Sequence, residues 1–195
     1  MHNHELTVDG FGAPVRLDRN KAGTGKEPVG GVCFYVDKKW CNTVFVREAL
    51  CTPDIELLSI SLRPFYLPRE FPQLFFTLVY IHPRANASRA IEHITDNIHK
   101  LDSISPDAPK FILWDFNHCS LNKTLKTYHQ YVTCPTRFKK TIDLLFWHSA
   151  WRVHVPCITS PWISRPQQCA SGPCVQACHS ARAARGENRE RLDRA

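Results

Sequence analysis

Two polar side chains stand directly after a short apolar run in the middle of the chain. The run is Phe111-Ile112-Leu113-Trp114, and Asp115, Phe116 and Asn117 follow it. The run predicts a short buried strand, so Asp115 and Asn117 would emerge at the strand end. Active sites of layered α/β proteins are commonly built there, because rigid strands position groups that stay accessible. The other interpretation is a turn in which both side chains bind backbone groups.

The elements around this motif are five further strands and one helix. The strands are runs rich in β-branched and aromatic residues, at 32–36, 43–46, 55–61, 74–81 and 141–146. The helix is predicted from apolar residues at helical spacing: Ile91, Ile94, Ile98 and Leu101. Ser88 or Asn86 would be its N-cap, and Pro106 would end it. Residues 121–133 have a mixed pattern that suggests a short helix.

Composition divides the chain into three parts. Residues 1–30 are polar and contain several glycines, which predicts a flexible N-terminal segment. Residues 31–147 hold the predicted strands and helix and form the domain. Residues 148–195 are rich in Cys, Pro and Arg and lack a periodic apolar pattern, so we expect a disordered tail.

Charge and hydropathy restrict the partners. The net charge is +7, and residues 148–195 carry seven Arg against three acids, which favours a polyanion such as DNA, bound weakly. The longest apolar stretches are far shorter than the roughly 20 residues that a membrane helix needs. No secretory signal begins the sequence, so we expect an intracellular protein, cytoplasmic or nuclear, without a membrane partner.

The cysteines give little support to a metal or disulfide site. There are nine, and in an intracellular protein reduced thiols are the default. A cluster in the tail has the spacing C-x4-C-x3-C-H, which matches no common zinc motif; it comprises Cys169, Cys174, Cys178 and His179.

Six segments, in this order, resemble the endonuclease domain of LINE-type non-LTR retrotransposons. They are Gly30-Gly31-Val32-Cys33-Phe34-Tyr35, Arg63-Pro64-Phe65-Tyr66-Leu67-Pro68-Arg69-Glu70-Phe71, Val79-Tyr80-Ile81-His82-Pro83-Arg84-Ala85-Asn86, Trp114-Asp115-Phe116-Asn117, Cys134-Pro135-Thr136-Arg137 and Thr141-Ile142-Asp143. The resemblance covers about residues 8 to 147. It implies an apurinic-endonuclease-like member of the endonuclease/exonuclease/phosphatase group, in which the nick primes reverse transcription.

That resemblance implies a fold and a chemistry. The fold is α/β: a four-layer sandwich of the deoxyribonuclease-I type, here partial and lacking its terminal strands. The reaction is hydrolysis of a DNA phosphodiester with Mg²⁺ and without a small-molecule cofactor. In-line attack on phosphate needs a carboxylate that directs water, donors that hold the phosphate and a cation that offsets charge.

Four residues match catalytic positions of the family, and Arg137, next to Thr136, is a candidate contact to DNA phosphate. Asp115 would direct the water, and Asn117 would position it. Tyr80 would face the scissile phosphate, and Asp143 would orient a catalytic histidine. Arg137 would contact DNA phosphate. Core packing for Tyr80, a satisfied buried carboxylate for Asp143 and an ordinary surface arginine for Arg137 are the alternative interpretations.

Three departures from the family pattern predict impaired catalysis. The chain contains no Ser-Asp-His motif, and no residue matches the metal-binding glutamate of the family. Trp114 occupies the position of a glycine that lets the backbone lie close to the metal. Groups that act together lose most of their effect when some are missing. The sequence therefore predicts a catalytically impaired endonuclease remnant, with a non-catalytic DNA-binding module and a translated relic as alternatives.

Overall fold

A computed structural model describes residues 7–19, 30–115, 117, 121, 124–132, 134–135 and 141–148, together with the backbone of 175–179. The strands are β1 (Val15–Asp18), β2 (Gly31–Val36), β3 (Val44–Cys51), β4 (Ile55–Leu62), β5 (Leu74–Ile81), β6 (Lys110–Asp115), β7 (Tyr128–Gln130), β8 (Asp143–His148) and β9 (Val175–His179). Among the described residues there is one helix, α1 (Ala87–Ile104), and it lies between β5 and β6.

The strands form two sheets. Six strands pair in the order β3-β4-β5-β6-β8-β7, and three pair in the order β1-β2-β9. All neighbours are antiparallel except β5 and β6, which are parallel and are joined through α1. Parallel neighbours need a crossover connection of this kind, because a tight turn can only reverse the chain. The described part of the chain is therefore mixed α/β.

The six-stranded sheet is covered on both faces. One face packs against α1 and forms a helix-side core that includes Ile55 and Leu57 of β4 together with Val79, Ile94 and Ile98. The other face packs against the three-stranded sheet and forms a sheet-side core: Val32, Phe34, Val36, Cys41, Leu58, Ile60, Leu62 and Leu78. Alternate residues of one strand enter different cores, because side chains alternate between faces with a period of two. The result is three layers in the order helix, sheet, sheet.

A buried lysine fixes the entry into β6. The side chain of Lys110 is 2% exposed, and its ammonium group pairs with Asp102 Oδ1 at 2.8 Å. The same group donates to the carbonyl oxygens of Ser105, Pro106 and Ala108 at 2.9 to 3.1 Å. These carbonyls follow the end of α1, where backbone acceptors have no partner within the helix. Lys110 thus ties the end of α1 to the first residue of β6.

A chain of polar side chains connects the sheet to the helix. Thr77 donates to Asn97 Oδ1 at 3.1 Å, and Ser59 Oγ lies 3.0 Å from Thr77 Oγ1. Because Thr77 has a single hydroxyl proton, Ser59 is the donor in the second bond. All three side chains are buried, so the chain fixes the position of α1 on the sheet more specifically than apolar packing alone.

Most predicted elements are present, with shifted limits. The predicted strands at 32–36, 55–61 and 74–81 agree with β2, β4 and β5 to within one residue, and β3 is longer than predicted. The helix is capped by Asn86 rather than Ser88: Asn86 Oδ1 accepts from the backbone N–H groups of residues 88 and 89. The predicted strand 141–146 begins at Asp143 instead and ends at His148.

Three short strands lie where the sequence predicts none. β1 falls within residues 1–30, predicted to be flexible, and β9 falls within residues 148–195, predicted to be disordered. β7 lies within 121–133, where the mixed pattern suggests a short helix. Each is three to five residues long, too short for a periodic pattern, and each is paired with a longer strand. Pairing with a distant strand therefore decides their conformation.

No helix in the part of the chain that the structure describes is long and apolar enough to cross a membrane.

Candidate active site

Four polar side chains occupy one row across the end of the six-stranded sheet. Glu56 is paired with Tyr80 in the register of β4 and β5, and Asp115 is paired with Asp143 in the register of β6 and β8. In the parallel pair, Leu78 lies beside Leu113, so two residues further along Tyr80 lies beside Asp115. We call these four residues the site row. Tyr80, Asp115 and Asp143, predicted from sequence, are thus brought together.

The site row faces the three-stranded sheet. Leu78 and Leu113 both pack in the sheet-side core, and residues two apart in a strand share a face. Tyr80 itself contacts the same core. Side chains from the ends of β1 and β2 can therefore reach the row from the opposite layer.

Arg19, which directly follows β1, makes this contact. Its Nε forms a salt bridge with Glu56 Oε1, and its guanidinium carbon lies 5.6 Å from the centroid of the Tyr80 ring. The Glu56 and Arg19 side chains are only 4% and 14% exposed, so little solvent screens the pair. Burial acts against the charge of Arg19, but the hydrogen bond and the charge of Glu56 outweigh it and raise the pKa of Arg19. Arg19 therefore remains charged at this buried position.

A pair of glycines allows β1 and Arg19 to lie this close. Gly31 has φ +146°, and a Cβ atom there would lie 2.3 Å from the carbonyl oxygen of Leu17. Gly30 has φ +110°, its carbonyl accepts from the Arg19 N–H at 3.1 Å, and a Cβ there would meet the guanidinium group at 3.6 Å. Only glycine combines these backbone angles with so close an approach. The Gly30-Gly31 pair is thus required for the position of Arg19.

Tyr80 presents a protonated phenol to the row. Burial, together with the negative charges of Asp115 and Glu56, raises the pKa of Tyr80 above its ordinary value of 10.0, although Arg19 acts in the opposite direction. The hydroxyl is therefore a hydrogen-bond donor at neutral pH.

Asn117 joins the ends of two strands of the row. Its Nδ2 donates to the carbonyl oxygen of Ile81 at 2.6 Å, and its backbone N–H donates to Asp115 Oδ1 at 2.9 Å. Its φ of +48° lies in the left-handed region, which asparagine tolerates better than most residues. These contacts are those of a strand-ending turn. They also hold the Asp115 carboxylate at the edge of the row. The same geometry therefore fits both a turn that binds backbone groups and a site that presents Asp115.

A shallow depression lies beside the site row, next to the turn between β3 and β4. It is lined by Thr52, Pro53, Asp54, Ile55, Glu56, Tyr80 and His82. The turn is held by Thr52, whose hydroxyl accepts from the N–H of Ile55 at 3.1 Å. Of the row, a ligand from this side would meet Tyr80 first, because the Glu56 side chain is almost fully buried.

The described residues contain no group of three His, Cys, Asp or Glu side chains that could hold a metal ion. Arg137, predicted to contact phosphate, lies outside the described residues. The backbone of Trp114 continues β6 and pairs with Leu144, while its side chain also lies outside them. Within the cysteine cluster of the tail, only the backbones of Cys178 and His179 are described.

Glu56 and Arg19 were not predicted from sequence. One signal was available for Glu56: it is the single charged residue in a strand whose eight residues are all buried. An acid in such a run is expected to have a partner, because an unpaired buried carboxylate is costly. For Arg19 no comparable signal exists, since it follows a four-residue strand in a polar segment.

Comparison with known proteins gave no relative: no family model, no curated protein and no solved structure matches this chain.

Proposed function

We propose that residues 31–147 are the remnant of a Mg²⁺-dependent phosphodiesterase, a DNA endonuclease domain of the LINE retrotransposon type, with impaired catalysis. The observation that carries the proposal is the site row. Tyr80, Asp115 and Asp143 come from three strands between 28 and 63 residues apart in sequence, and pairing aligns them on one face. Asn117 adjoins them at the end of β6.

The layers of the fold support the same proposal. A helix, a six-stranded sheet and a second, smaller sheet lie in that order, which is three layers of a four-layer α/β sandwich. Tyr80 and Asp115 lie at the carboxyl ends of the parallel strands β5 and β6, where ligands of layered α/β proteins commonly bind. A deoxyribonuclease-I-like sandwich without its terminal strands is therefore part of the proposal.

Three residues of the row would have roles in hydrolysis of a phosphodiester. The Asp115 carboxylate, oriented by the Asn117 N–H, would accept a proton from the attacking water or direct it. The protonated Tyr80 phenol would donate to a non-bridging phosphate oxygen. Asp143, beside Asp115, would orient and charge a histidine, and the chain offers no Ser-Asp-His motif to supply one.

The Mg²⁺ of the family does not fit the described residues. In the site row, Glu56 already pairs with Arg19, which neutralises its charge and occupies Oε1. Glu56 Oε2 is buried without a hydrogen-bond partner, and a cation could bind to it. Within the described part of the chain, however, no group of three ligands converges there. A carboxylate that is already charge-paired is a poor ligand for a second cation. No step is therefore assigned to the metal, and this mismatch is one reason to propose impaired catalysis.

A second candidate is a non-catalytic DNA-binding module. The observation that favours it is the charge of +7, with seven Arg and three acids among residues 148–195. Contacts of Lys and Arg with phosphates release counterions, so such binding would weaken steeply with salt. A relic without function would show neither nicking nor salt-dependent binding.

Nicking of supercoiled plasmid in Mg²⁺ tests the proposal. The full chain would be assayed beside Asp115→Asn, with Asp96→Asn, an exposed acid on α1, as the matched control. We expect little or no nicking and DNA binding that falls with salt. Nicking that Asp115→Asn abolishes and Asp96→Asn preserves would show an intact enzyme and overturn the impairment. A folded chain that neither nicks nor binds DNA would contradict both candidates.

A further inference from the structure

We propose that Arg19 is a positioning residue for Tyr80: held by Glu56, its guanidinium group fixes the phenol in the site row. The geometry is that of a bridge, because one guanidinium group contacts a carboxylate of β4 and the face of an aromatic ring of β5. Glu56 and Tyr80 are themselves opposite each other in register. The functional meaning of this role rests on the function proposed above.

A purely structural role explains the Arg19–Glu56 pair poorly. Glu56 lies in a strand whose other residues are apolar or hydroxyl-bearing, and its side chain is almost fully buried. Replacing a buried ion pair by apolar side chains of similar volume is often neutral or stabilising, so such pairs are weak contributors to stability. One oxygen of Glu56 also remains without a hydrogen-bond partner. The pair thus contributes little to stability at this place, and what it does there is to hold a cation against Tyr80.

Arginine suits the role better than lysine. Its planar guanidinium group can donate to a carboxylate through Nε while its face lies over an aromatic ring. A lysine ammonium group would keep the charge but could not make both contacts with fixed geometry. Arg16, two positions before β1 ends, provides a comparison: it pairs with Asp18 of its own strand at 2.6 Å and is exposed.

Several charged groups surround the Tyr80 phenol and set its ionisation. Arg19 approaches from the end of β1, Glu56 from β4 and Asp115 from β6, with Asp143 next to Asp115 on β8. Asp54 and His82 line the depression beside them. Of these groups, only Arg19 favours the ionised phenol. Removal of its charge should therefore change the titration of Tyr80 in one defined direction.

The experiment is a ¹⁹F NMR titration of the full chain with 3,5-difluorotyrosine at position 80, whose phenol ionises nearer neutral pH than that of tyrosine. In Arg19→Gln we expect the pKa of this phenol to rise by roughly one unit, as expected when an opposite charge is removed within a few ångströms. Arg19→Lys should lie between Arg19→Gln and the unsubstituted chain. Arg16→Gln, which removes an arginine three positions earlier, within β1, should leave the titration unchanged.

The outcomes separate the positioning role from the proposed function. If Arg19→Gln does not fold, Arg19→Lys decides: an unchanged titration and unchanged ¹⁹F chemical shift would overturn the proposal. A shift as large in Arg16→Gln as in Arg19→Gln would also overturn it, since the effect would then be a general one of surface charge. A specific shift in the Arg19 variants without any DNA nicking or binding would keep the positioning role and overturn only the proposed function.

Discussion

Asp115 and Asp143 lie directly opposite each other, at the last position of β6 and the first position of β8. Side chains in such a pair share a face, with Cβ atoms about 4.5–5.5 Å apart. Like charges directly opposite each other destabilise a sheet. Repulsion between the two carboxylates is therefore expected at this point.

A double-mutant cycle measures this repulsion. We expect Asp115→Asn and Asp143→Asn to show a coupling energy of about 0.2–1 kcal/mol with the sign of repulsion, because either substitution alone removes the same unfavourable interaction. Urea denaturation of the unsubstituted chain, both single variants and the double variant gives the coupling energy. The cycle cancels the other contacts that each aspartate makes. The pair Asp115→Asn and Asp96→Asn, on different elements, should be additive. A coupling of attractive sign would mean that the two carboxylates share a proton or a cation.

Gly31→Ala should displace β1. The added Cβ would lie 2.3 Å from the Leu17 carbonyl oxygen, and the φ of +146° is itself unfavourable for alanine. The backbone angle alone costs about 1–3 kcal/mol. Thermal or urea unfolding should show at least that loss, and the ¹⁹F signal of the labelled Tyr80 should shift as Arg19 moves. Gly12→Ala is the control, since a Cβ there meets its nearest atom at an ordinary 3.6 Å. Equal stability of the two variants would contradict the close approach of β1 and β2.

Lys110→Met should destabilise the fold although it replaces a charged residue in the core with an apolar one. The carbonyl oxygens of Ser105, Pro106 and Ala108 would lose their shared donor. Ser105 keeps its bond from the Ala108 N–H, but the bond to the Ala108 carbonyl is buried, and a buried acceptor left without a partner costs about 1–3 kcal/mol. Lys100→Met removes a surface lysine paired with Glu48 and should cost no more than about 1 kcal/mol. If the two variants are equally stable, water replaces the ammonium group and Lys110 does not determine the entry into β6.

Tyr128 should make the protein less stable at alkaline pH. Burial, with a smaller effect from the charge of Asp102, raises the pKa of Tyr128 well above its ordinary value of 10.0. Above the ordinary value of 10.0, the unfolded chain loses the phenol proton while the folded chain keeps it. The free energy of unfolding therefore falls as pH rises. In Tyr128→Phe this fall should be shallower above about pH 10. Tyr66→Phe, which removes a phenol that is 92% exposed, should leave the slope unchanged. Parallel curves for all three proteins would mean that Tyr128 ionises without unfolding.

The long elements could be predicted because their patterns are local. Residues 74–81 are almost continuously apolar, and the structure places alternate residues of this strand in the helix-side and sheet-side cores. The spacing of Ile94, Ile98 and Leu101 equally predicted the buried face of α1. Asp115 and Asn117 could be chosen as candidates because they follow an apolar run. The short strands β1 and β7 could not, since three or four residues carry too little periodicity to distinguish a strand from a turn.

The longer strands, the helix and the polar residues at strand ends could be predicted because side-chain alternation and capping depend on neighbours in the chain. The alignment of Glu56, Tyr80, Asp115 and Asp143 depends instead on the register of three strand pairs. A slip of one residue would turn a strand's side chains to the other face, so this alignment follows from the tertiary structure and not from a local pattern. The contact of Arg19 with Glu56 joins positions 37 residues apart, one at the end of a strand of the smaller sheet and one within the larger sheet. No local pattern encodes such a contact, because it exists only once the two sheets have packed together.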